Sequence, residues 1–214
     1  MKIKAVIFDI DGTLYRSREY VKQLVDAMCD VISELLSIPR ERAWELYQSI
    51  RSRIGTISLG LREIGIDRRQ FYRELVKKLD PSQSIRPRPE LKRMLEEIRR
   101  MGLKVGCHTN SSRELAKLVL NALGLDLNDF DILITSDDAE PKPMPDGYLK
   151  IIDQLGLEPR QVLYVGDRWR IELEPAKKLG MKTVLVSSKL DGDPDLVIGD
   201  VLELLEKLRS LKDP

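Results

Sequence analysis

Short apolar runs alternate with longer segments of helical periodicity along most of the chain. Runs rich in β-branched residues predict buried strands at 3–8, 105–107, 132–134, 162–165 and 183–186. Amphipathic segments of helix length precede the last four of these strands, at 89–100, 113–123, 146–154 and 171–178. A further amphipathic helix is predicted at 201–211. This alternation predicts an α/β fold with a doubly wound, Rossmann-like parallel sheet as its core.

One stretch, residues 16–84, breaks the alternation because it contains no strand candidate. Apolar residues recur at helical spacing over 21–36 and again over 71–79. A segment of roughly 70 residues is too long for a loop without structure of its own. The sequence therefore predicts a helical cap domain at 16–84, inserted into a core domain formed by 1–15 and 85–214.

Composition and charge narrow the choice of partners. Lys and Arg number 36 against 35 Asp and Glu, so the net charge of +1 creates no field that favours a nucleic acid polymer or an anionic membrane. No apolar run approaches 18 residues, the first residues do not resemble a signal peptide, and Cys29 and Cys107 lack metal-type spacing. We therefore expect a cytoplasmic protein, a monomer or a homodimer, with no nucleic acid or membrane partner.

Polar residues and one glycine lie in the segments that follow the predicted strands at their carboxyl ends. They are Asp9, Asp11, Gly12, Thr109, Asn110, Lys142 and Asp167. In open α/β sheets, ligands bind at this edge, where the loops after different strands meet. We therefore expect several carboxylates, a hydroxyl and an ammonium group to form one site.

The first of these segments, FDIDGT, places two carboxylates at the end of a buried strand. Their mutual repulsion costs stability unless a cation or a lysine compensates it. Gly12 permits a tight turn or an unusual φ. The alternative is a capped turn with two solvated acids, and the alternative for Lys142 is a solvated loop lysine. Prolines on both sides of Lys142 would restrict its backbone.

Four segments, taken together, resemble the motifs of the haloacid dehalogenase (HAD) superfamily. They are FDIDGTLY, Thr109 after the second strand, Lys142 in EPKP, and YVGDRWRIELEPAKKLG. The resemblance covers almost the whole chain and includes a helical insertion between the first and second motifs. It implies an α/β core with a cap and a Mg²⁺-dependent phosphatase that acts on a small phosphorylated metabolite through an aspartyl-phosphate.

The resemblance also implies roles for individual residues. Asp9 would be the nucleophile, and Asp11 the general acid that later serves as a base. Family dehalogenases lack an Asp at this second position, so Asp11 favours an oxygen leaving group over a halide. Lys142 would pair with the nucleophile and the phosphate, while the Thr109 hydroxyl and the Asn110 backbone N–H would bind phosphoryl oxygens.

Magnesium would be held, by the same resemblance, by the Asp9 side chain, the Asp11 backbone carbonyl and the Asp167 side chain. The fourth motif departs from the family pattern. The family commonly has a second Asp five residues after the first, often preceded by Asn, and these two positions are Ile171 and Glu172 here. Glu172 could still reach a metal-bound water. Alternatively it is a first-turn acid favoured by the helix dipole.

The insertion would select the substrate by covering its leaving group. The segment IGTISLGLREIGIDRRQFYRELVKKL, followed by IRPRPELKRML, is similar to the cap of the pyrimidine 5′-nucleotidase branch, which would favour a nucleoside monophosphate. The phosphate-binding set implied by the resemblance is Gly12, Thr109, Asn110 and Lys142. Alternatives are a phosphomutase that acts on a sugar phosphate, and a catalytically silent phospho-ligand-binding or signalling module.

Other polar and aromatic residues have simpler interpretations. His108 would pack or form a structural hydrogen bond, because strand alternation points it away from Thr109. Trp44 and Tyr47 would belong to the cap core rather than form a base-stacking pair. Arg168 would lie at a solvated helix start.

Overall fold

The computed structural model describes residues 3–210 and contains a six-stranded parallel sheet. The strand order is β3-β2-β1-β4-β5-β6. The strands are β1 (Ala5–Phe8), β2 (Lys104–His108), β3 (Ile132–Ile134), β4 (Val162–Gly166), β5 (Lys182–Val186) and β6 (Leu196–Ile198). All five predicted strands are present within a residue or two, and the α/β class is confirmed. The sequence did not predict β6, which has only three residues and lies at the sheet edge.

Nine α-helices accompany the sheet in the described part of the chain. They are α1 (Arg18–Leu36), α2 (Arg40–Ile54), α3 (Ile57–Gly60), α4 (Arg68–Val76), α5 (Pro89–Arg100), α6 (Arg113–Ala122), α7 (Asp146–Leu155), α8 (Glu174–Lys178) and α9 (Leu204–Ser210). The helix expected at 171–178 is divided, because a π-helical turn at Trp169–Leu173 precedes α8. The helix expected at 201–211 begins with a 3₁₀ turn, and its last residue lies outside the described residues.

Side-chain alternation along β1 explains why helices cover both faces of the sheet. Val6 and Phe8 belong to a buried cluster with apolar residues of α5, α6 and α9. Ala5 and Ile7 point to the opposite face and pack with residues of α7 and α8. Because both faces are buried, the strand is apolar throughout, as expected for a doubly wound parallel sheet.

The position of β1 in the sheet determines where a site can form. β1 lies between β2 and β4, and the order of the strands reverses at this point. The loops that leave β1, β2 and β4 therefore start side by side at one edge of the sheet. Ligand sites of open α/β folds lie in the crevice at such a reversal.

The stretch expected to form the cap contains helices α1–α4 and no strand. Its apolar residues form a cluster of their own, including Val31, Ile50, Phe71 and Leu75. Leu115 of α6 joins this cluster, so the helical layer packs on one side of the sheet domain. The division at 16–84 itself stays a prediction.

Two chain segments connect the helical layer to the sheet, and they run side by side. The Ser17 hydroxyl donates a hydrogen bond to the Ser84 carbonyl at 2.8 Å. The Arg88 guanidinium donates to the Leu14 carbonyl at 2.8 Å and forms two bonds of 3.0 Å with Asp200. In the described residues no helix is both long and apolar enough to cross a lipid bilayer.

Candidate active site

A buried ion pair joins the loop after β1 to the loop after β3. Asp9 directly follows β1 and is only 2% exposed, and Lys142 is completely buried. The Lys142 Nζ lies 2.6 Å from Asp9 Oδ1 and also donates to the His108 carbonyl at 2.9 Å. The Thr13 hydroxyl donates to Asp9 Oδ2 at 3.3 Å. Lys142 is therefore not a solvated loop lysine, and both oxygens of Asp9 accept hydrogen bonds.

Three carboxylates lie together at this edge of the sheet. Asp9, Asp167 and Glu172 each offer an oxygen, and these oxygens lie within 4.8 Å of one another. Burial, and then the charge of Glu172, raises the pKa of Asp9 to about 7 and that of Asp167 to about 8. Asp167 Oδ1 is buried and has no hydrogen-bond partner among the described residues. This cluster has oxygen ligands that could hold a metal ion.

Gly12 allows the loop after β1 to approach Asp167 closely. It has a φ of 92°, in the region that favours glycine. A Cβ atom at this position would lie 2.3 Å from Asp167 Oδ2. Any side chain here would therefore displace Asp167 from the acidic cluster.

Asp11 lies beside the cluster but is held separately. The Tyr15 hydroxyl donates to Asp11 Oδ1 at 2.5 Å. Burial raises the pKa of Asp11 above its ordinary value, although the bond from Tyr15 opposes this shift. Sequence reasoning missed this contact of Tyr15, although the i,i+4 spacing in DGTLY could have indicated it.

Glu172 is fully buried, unlike a solvated acid in the first turn of a helix. Its Oε2 accepts the backbone N–H groups of Asp167 and Arg168 at 3.1 and 3.2 Å, and its Oε1 lies 3.8 Å from Lys142 Nζ. The Arg168 guanidinium donates to Oε1 at 2.9 and 2.7 Å. Burial alone would raise the pKa of Glu172, but Lys142 and then Arg168 outweigh burial and lower it.

One interpretation of the fourth motif therefore needs correction. Arg168 does not lie at a solvated helix start, because its guanidinium is paired with Glu172. Glu172 orders the loop after β4 through backbone bonds. The π-helical turn at Trp169–Leu173, which no sequence pattern predicted, carries this carboxylate back toward that loop.

Thr109 and Asn110 follow β2 and line the same cavity as Asp9. The Thr109 hydroxyl oxygen accepts the Ser111 N–H at 3.1 Å. The Asn110 side chain makes two bonds to the backbone of Lys142: Oδ1 accepts its N–H at 2.7 Å, and Nδ2 donates to its carbonyl at 3.0 Å. Sequence reasoning considered only the backbone N–H of Asn110, since nothing in the sequence links positions 32 residues apart.

Asn110 also connects the sheet to the helical layer. Its Nδ2 donates to the Thr56 hydroxyl at 3.1 Å. Its carbonyl accepts hydrogen bonds from the Tyr72 hydroxyl at 2.7 Å and the Ser58 hydroxyl at 3.0 Å. Asn110 therefore contacts both the loop that carries Lys142 and the residues of the helical layer that cover the site.

His108 has the structural role expected from strand alternation. Its Nδ1 lies 2.9 Å from the Tyr164 hydroxyl, and its ring packs edge-on against Tyr148. Burial, and then the charge of Lys142, lowers the pKa of His108 well below its ordinary value. A neutral, buried imidazole of this kind does not reach the cavity.

A cavity of about 520 Å³ separates the sheet edge from the helical layer. Its floor carries the acids Asp9, Asp11 and Asp167, and α1 and α2 line the opposite side. Tyr47 lines this cavity and stacks on Trp44 with ring centroids 5.7 Å apart. The expectation that both rings lie in the cap core was wrong for Trp44, which is 40% exposed.

Comparison with known proteins agrees with this architecture. A sequence model of the haloacid dehalogenase-like hydrolases matches residues 3–180. The chain is 29% identical to glyceraldehyde 3-phosphate phosphatase of Methanocaldococcus jannaschii, covering 98% of this chain and 99% of that protein. It is 30% identical to phosphoglycolate phosphatase of Aquifex aeolicus, covering 86% and 84%.

A solved structure shares the fold over nearly its whole length. The HAD phosphatase from Thermococcus onnurineus superposes with a TM-score of 0.68 at 28% identity, covering 96% of this chain and 98% of that one. Since the family match spans most of the chain, the protein belongs to the haloacid dehalogenase-like hydrolase family.

Proposed function

We propose that the protein is a Mg²⁺-dependent phosphomonoester hydrolase that acts on a small phosphorylated metabolite through an aspartyl-phosphate at Asp9. The buried contact between Asp9 and Lys142, at the floor of a cavity beside Asp167, carries this proposal. The phosphatase names of the relatives support it. The balanced overall charge creates no field that favours a nucleic acid polymer or an anionic membrane, and we propose a cytoplasmic monomer or homodimer.

The acidic cluster fits a magnesium ion. Asp9 and Asp167 would hold the ion through their carboxylates and Asp11 through its backbone carbonyl, while Glu172 would act near it. Asp167 Oδ1 accepts no hydrogen bond and lies 3.9 Å from the Arg168 Nε, and the raised pKa values of Asp9 and Asp167 mark negative charge that the protein compensates only in part. Hard oxygen ligands of this kind suit Mg²⁺. Bound there, the ion would offset the repulsion between the phosphoryl group and the carboxylates.

The side chains can then carry out two successive displacements. A carboxylate oxygen of Asp9 attacks phosphorus, and the bond from phosphorus to the leaving oxygen breaks. Asp11 gives its proton to that oxygen and then takes one from the water that attacks the phosphoenzyme. This second attack releases inorganic phosphate and restores Asp9. Lys142, Thr109 and the N–H groups of the Gly12 and Asn110 loops would bind phosphoryl oxygens.

The helical segment 16–84 would act as a cap over this reaction. It covers the acidic floor and contacts Asn110 through Thr56, Ser58 and Tyr72. A cap that excludes water strengthens the electrostatic interactions beneath it. Because the floor binds a phosphoryl group that all substrates share, the cap would select the leaving group.

Replacing Asp9 with Asn is expected to reduce hydrolysis of p-nitrophenyl phosphate by roughly 10³ or more, because the amide is not a nucleophile. The measurement is the rate of p-nitrophenol release in saturating Mg²⁺. Asp153→Asn, an exposed position on α7, is the matched control and should retain full activity. Near-normal turnover of Asp9→Asn would show that Asp9 is not the nucleophile.

Replacing Asp11 with Asn should affect poor leaving groups most. A general acid typically contributes about 10²–10⁴ to a rate when the leaving oxygen needs a proton. We therefore expect a far larger loss of kcat/KM for an alkyl phosphate than for p-nitrophenyl phosphate, whose leaving group is stable as an anion. Equal losses on both substrates would contradict the assignment of Asp11 as the acid.

Removal of divalent cations with EDTA should stop hydrolysis, and added Mg²⁺ should restore it. Asp167→Asn removes a carboxylate from the cluster, so this variant should need about tenfold or more Mg²⁺ for half-maximal activity. The measurement is initial rate against Mg²⁺ concentration, with Asp153→Asn as control. Full activity in EDTA would remove the metal from the mechanism.

Asn110→Ala removes both bonds that hold the Lys142 backbone, and kcat should fall by up to about a hundredfold with a smaller change in KM. Thr56→Ala removes only the bond that the Asn110 side chain donates to the helical layer, and it should change kcat by less than about threefold. The measurements are kcat and KM for p-nitrophenyl phosphate and the unfolding midpoint of each variant. An unchanged kcat in Asn110→Ala would show that this side chain does not position the lysine.

A further inference from the structure

We propose that Glu140 is a positioning residue, which joins the loop that carries Lys142 to the helical layer through ion pairs with Arg68 and Arg62. The Arg68 Nη1 donates to Glu140 Oε2 at 3.2 Å, and the Arg62 Nη2 lies 3.7 Å from Glu140 Oε1. These two contacts are called the Glu140 ion pairs below. The inference rests on the proposed function, because Lys142 acts in the proposed reaction at Asp9.

Among the residues that the structure describes, the Glu140 ion pairs are the only ion pairs between the helical layer and the sheet domain. Every other ion pair made by residues 16–84 stays within that segment, as the pair of Arg53 with Glu63 does. Attraction between full charges therefore crosses from one part to the other at a single residue of the sheet domain. That residue stands two positions before Lys142.

A second cleft, separate from the acid-lined cavity, surrounds these contacts. Its volume is about 520 Å³, and the residues that line it all come from 58–69 of the helical layer, except Glu140. They include one acid, Asp67, whose Oδ1 accepts a backbone N–H at the start of α4. They also include three arginines, Arg62, Arg68 and Arg69. Without Glu140 the cleft would be positively charged, so this carboxylate offsets charge that the helical layer itself does not balance.

The chain between Glu140 and Lys142 can transmit a displacement from one residue to the other. Only Pro141 separates them, and its ring fixes φ, so rotation at this position absorbs a shift of Glu140 only in part. The Glu140 N–H donates to Asp146 Oδ2 at 3.0 Å, which holds the loop against the start of α7. Because the Lys142 Nζ must stay within 2.6 Å of Asp9 Oδ1, a small shift of this loop would misplace the ammonium group.

The Glu140 ion pairs lie on the side of the sheet away from the two segments that connect the helical layer to it. Glu140 follows β3, the outer strand at one end of the sheet. The connecting segments contact the other end, where Arg16 donates to the Val186 carbonyl at 2.7 Å and Arg88 binds Asp200 after β6. A contact far from the connections restrains the helical layer more than a contact beside them.

The exposure of the Glu140 ion pairs suits a contact that breaks and forms again. The Glu140 side chain is 43% exposed and that of Arg68 is 25% exposed. Ion pairs of this kind usually shift an equilibrium by no more than about fivefold, and salt screens them. Such a contact can hold the loop against the helical layer and still let the two separate when a substrate enters the cavity.

Reversal of the two charges tests this proposal. Glu140→Lys and Arg68→Glu each replace attraction by repulsion, so each should lower kcat/KM for p-nitrophenyl phosphate by about tenfold, with the larger part of the loss in kcat. The double variant restores an attractive pair and should return to within about threefold of the unaltered protein. The Arg62 side chain is 88% exposed, so it can turn into the solvent in the double variant.

Glu63→Lys is the matched control, because it reverses one charge of an ion pair that lies entirely within the helical layer. This variant should change kcat/KM by less than about twofold. Single reversals that match the control, or losses that simply add in the double variant, would overturn the proposal.

Hydrogen–deuterium exchange of the loop gives a readout that does not depend on activity. A peptide covering 136–145 should exchange faster in Glu140→Lys than in the unaltered protein, and the double variant should restore its protection. Glu63→Lys should leave this peptide unchanged. Unaltered exchange in Glu140→Lys, in a protein whose hydrolysis Asp9→Asn abolishes, would overturn the inference and leave the proposed function standing. A protein that hydrolyses no phosphate ester would instead refute the proposed function and, with it, the role of Glu140 in the reaction.

Discussion

The arrangement of this site depends on how buried negative charge is compensated. Three carboxylates come together at one edge of the sheet, and two cationic side chains, Lys142 and Arg168, lie among them. A buried ion pair is stable only if its remaining hydrogen-bonding groups are satisfied. The protein meets this condition for Glu172 and leaves it unmet for one oxygen of Asp167. The remaining negative charge would favour a bound cation, and the proposed mechanism needs that cation before a phosphoryl group can approach the carboxylates.

The parallel sheet brings these charges together without a long loop. Asp9 and Asp167 each follow one of two neighbouring strands, β1 and β4, so their backbones start side by side. Lys142 arrives from the other side of β1, and Asn110 holds its backbone from the end of β2. The topology therefore brings these side chains together at one edge of the sheet, and hydrogen bonds between the loops orient them.

The pattern of apolar and polar residues along the chain predicted most of this fold for a simple physical reason. Buried parallel strands are apolar on both faces, so β1 and β4 stand out even in a single sequence. β6 was not predicted, because a strand of three residues at a sheet edge has too few positions to show a periodic pattern. The sequence could indicate which residues meet at the sheet edge because each lies in a loop that follows a strand, and their roles stay predictions. The Asn110–Lys142 bonds, the π-helical turn and the exposure of Trp44 depend on contacts between distant segments, which periodicity does not encode.

The two sides of the cavity would contact different parts of a substrate. Binding energy used on the phosphoryl group is available to every phosphate ester, so it cannot distinguish one substrate from another. Discrimination must come from atoms beyond the ester oxygen, which the helical layer would contact in the proposed function. In this protein that layer presents α1 with an apolar face toward the cavity and ties itself to the lysine loop through Asn110. If the helical layer binds the leaving group as proposed, Asn110 connects those contacts to the backbone of Lys142.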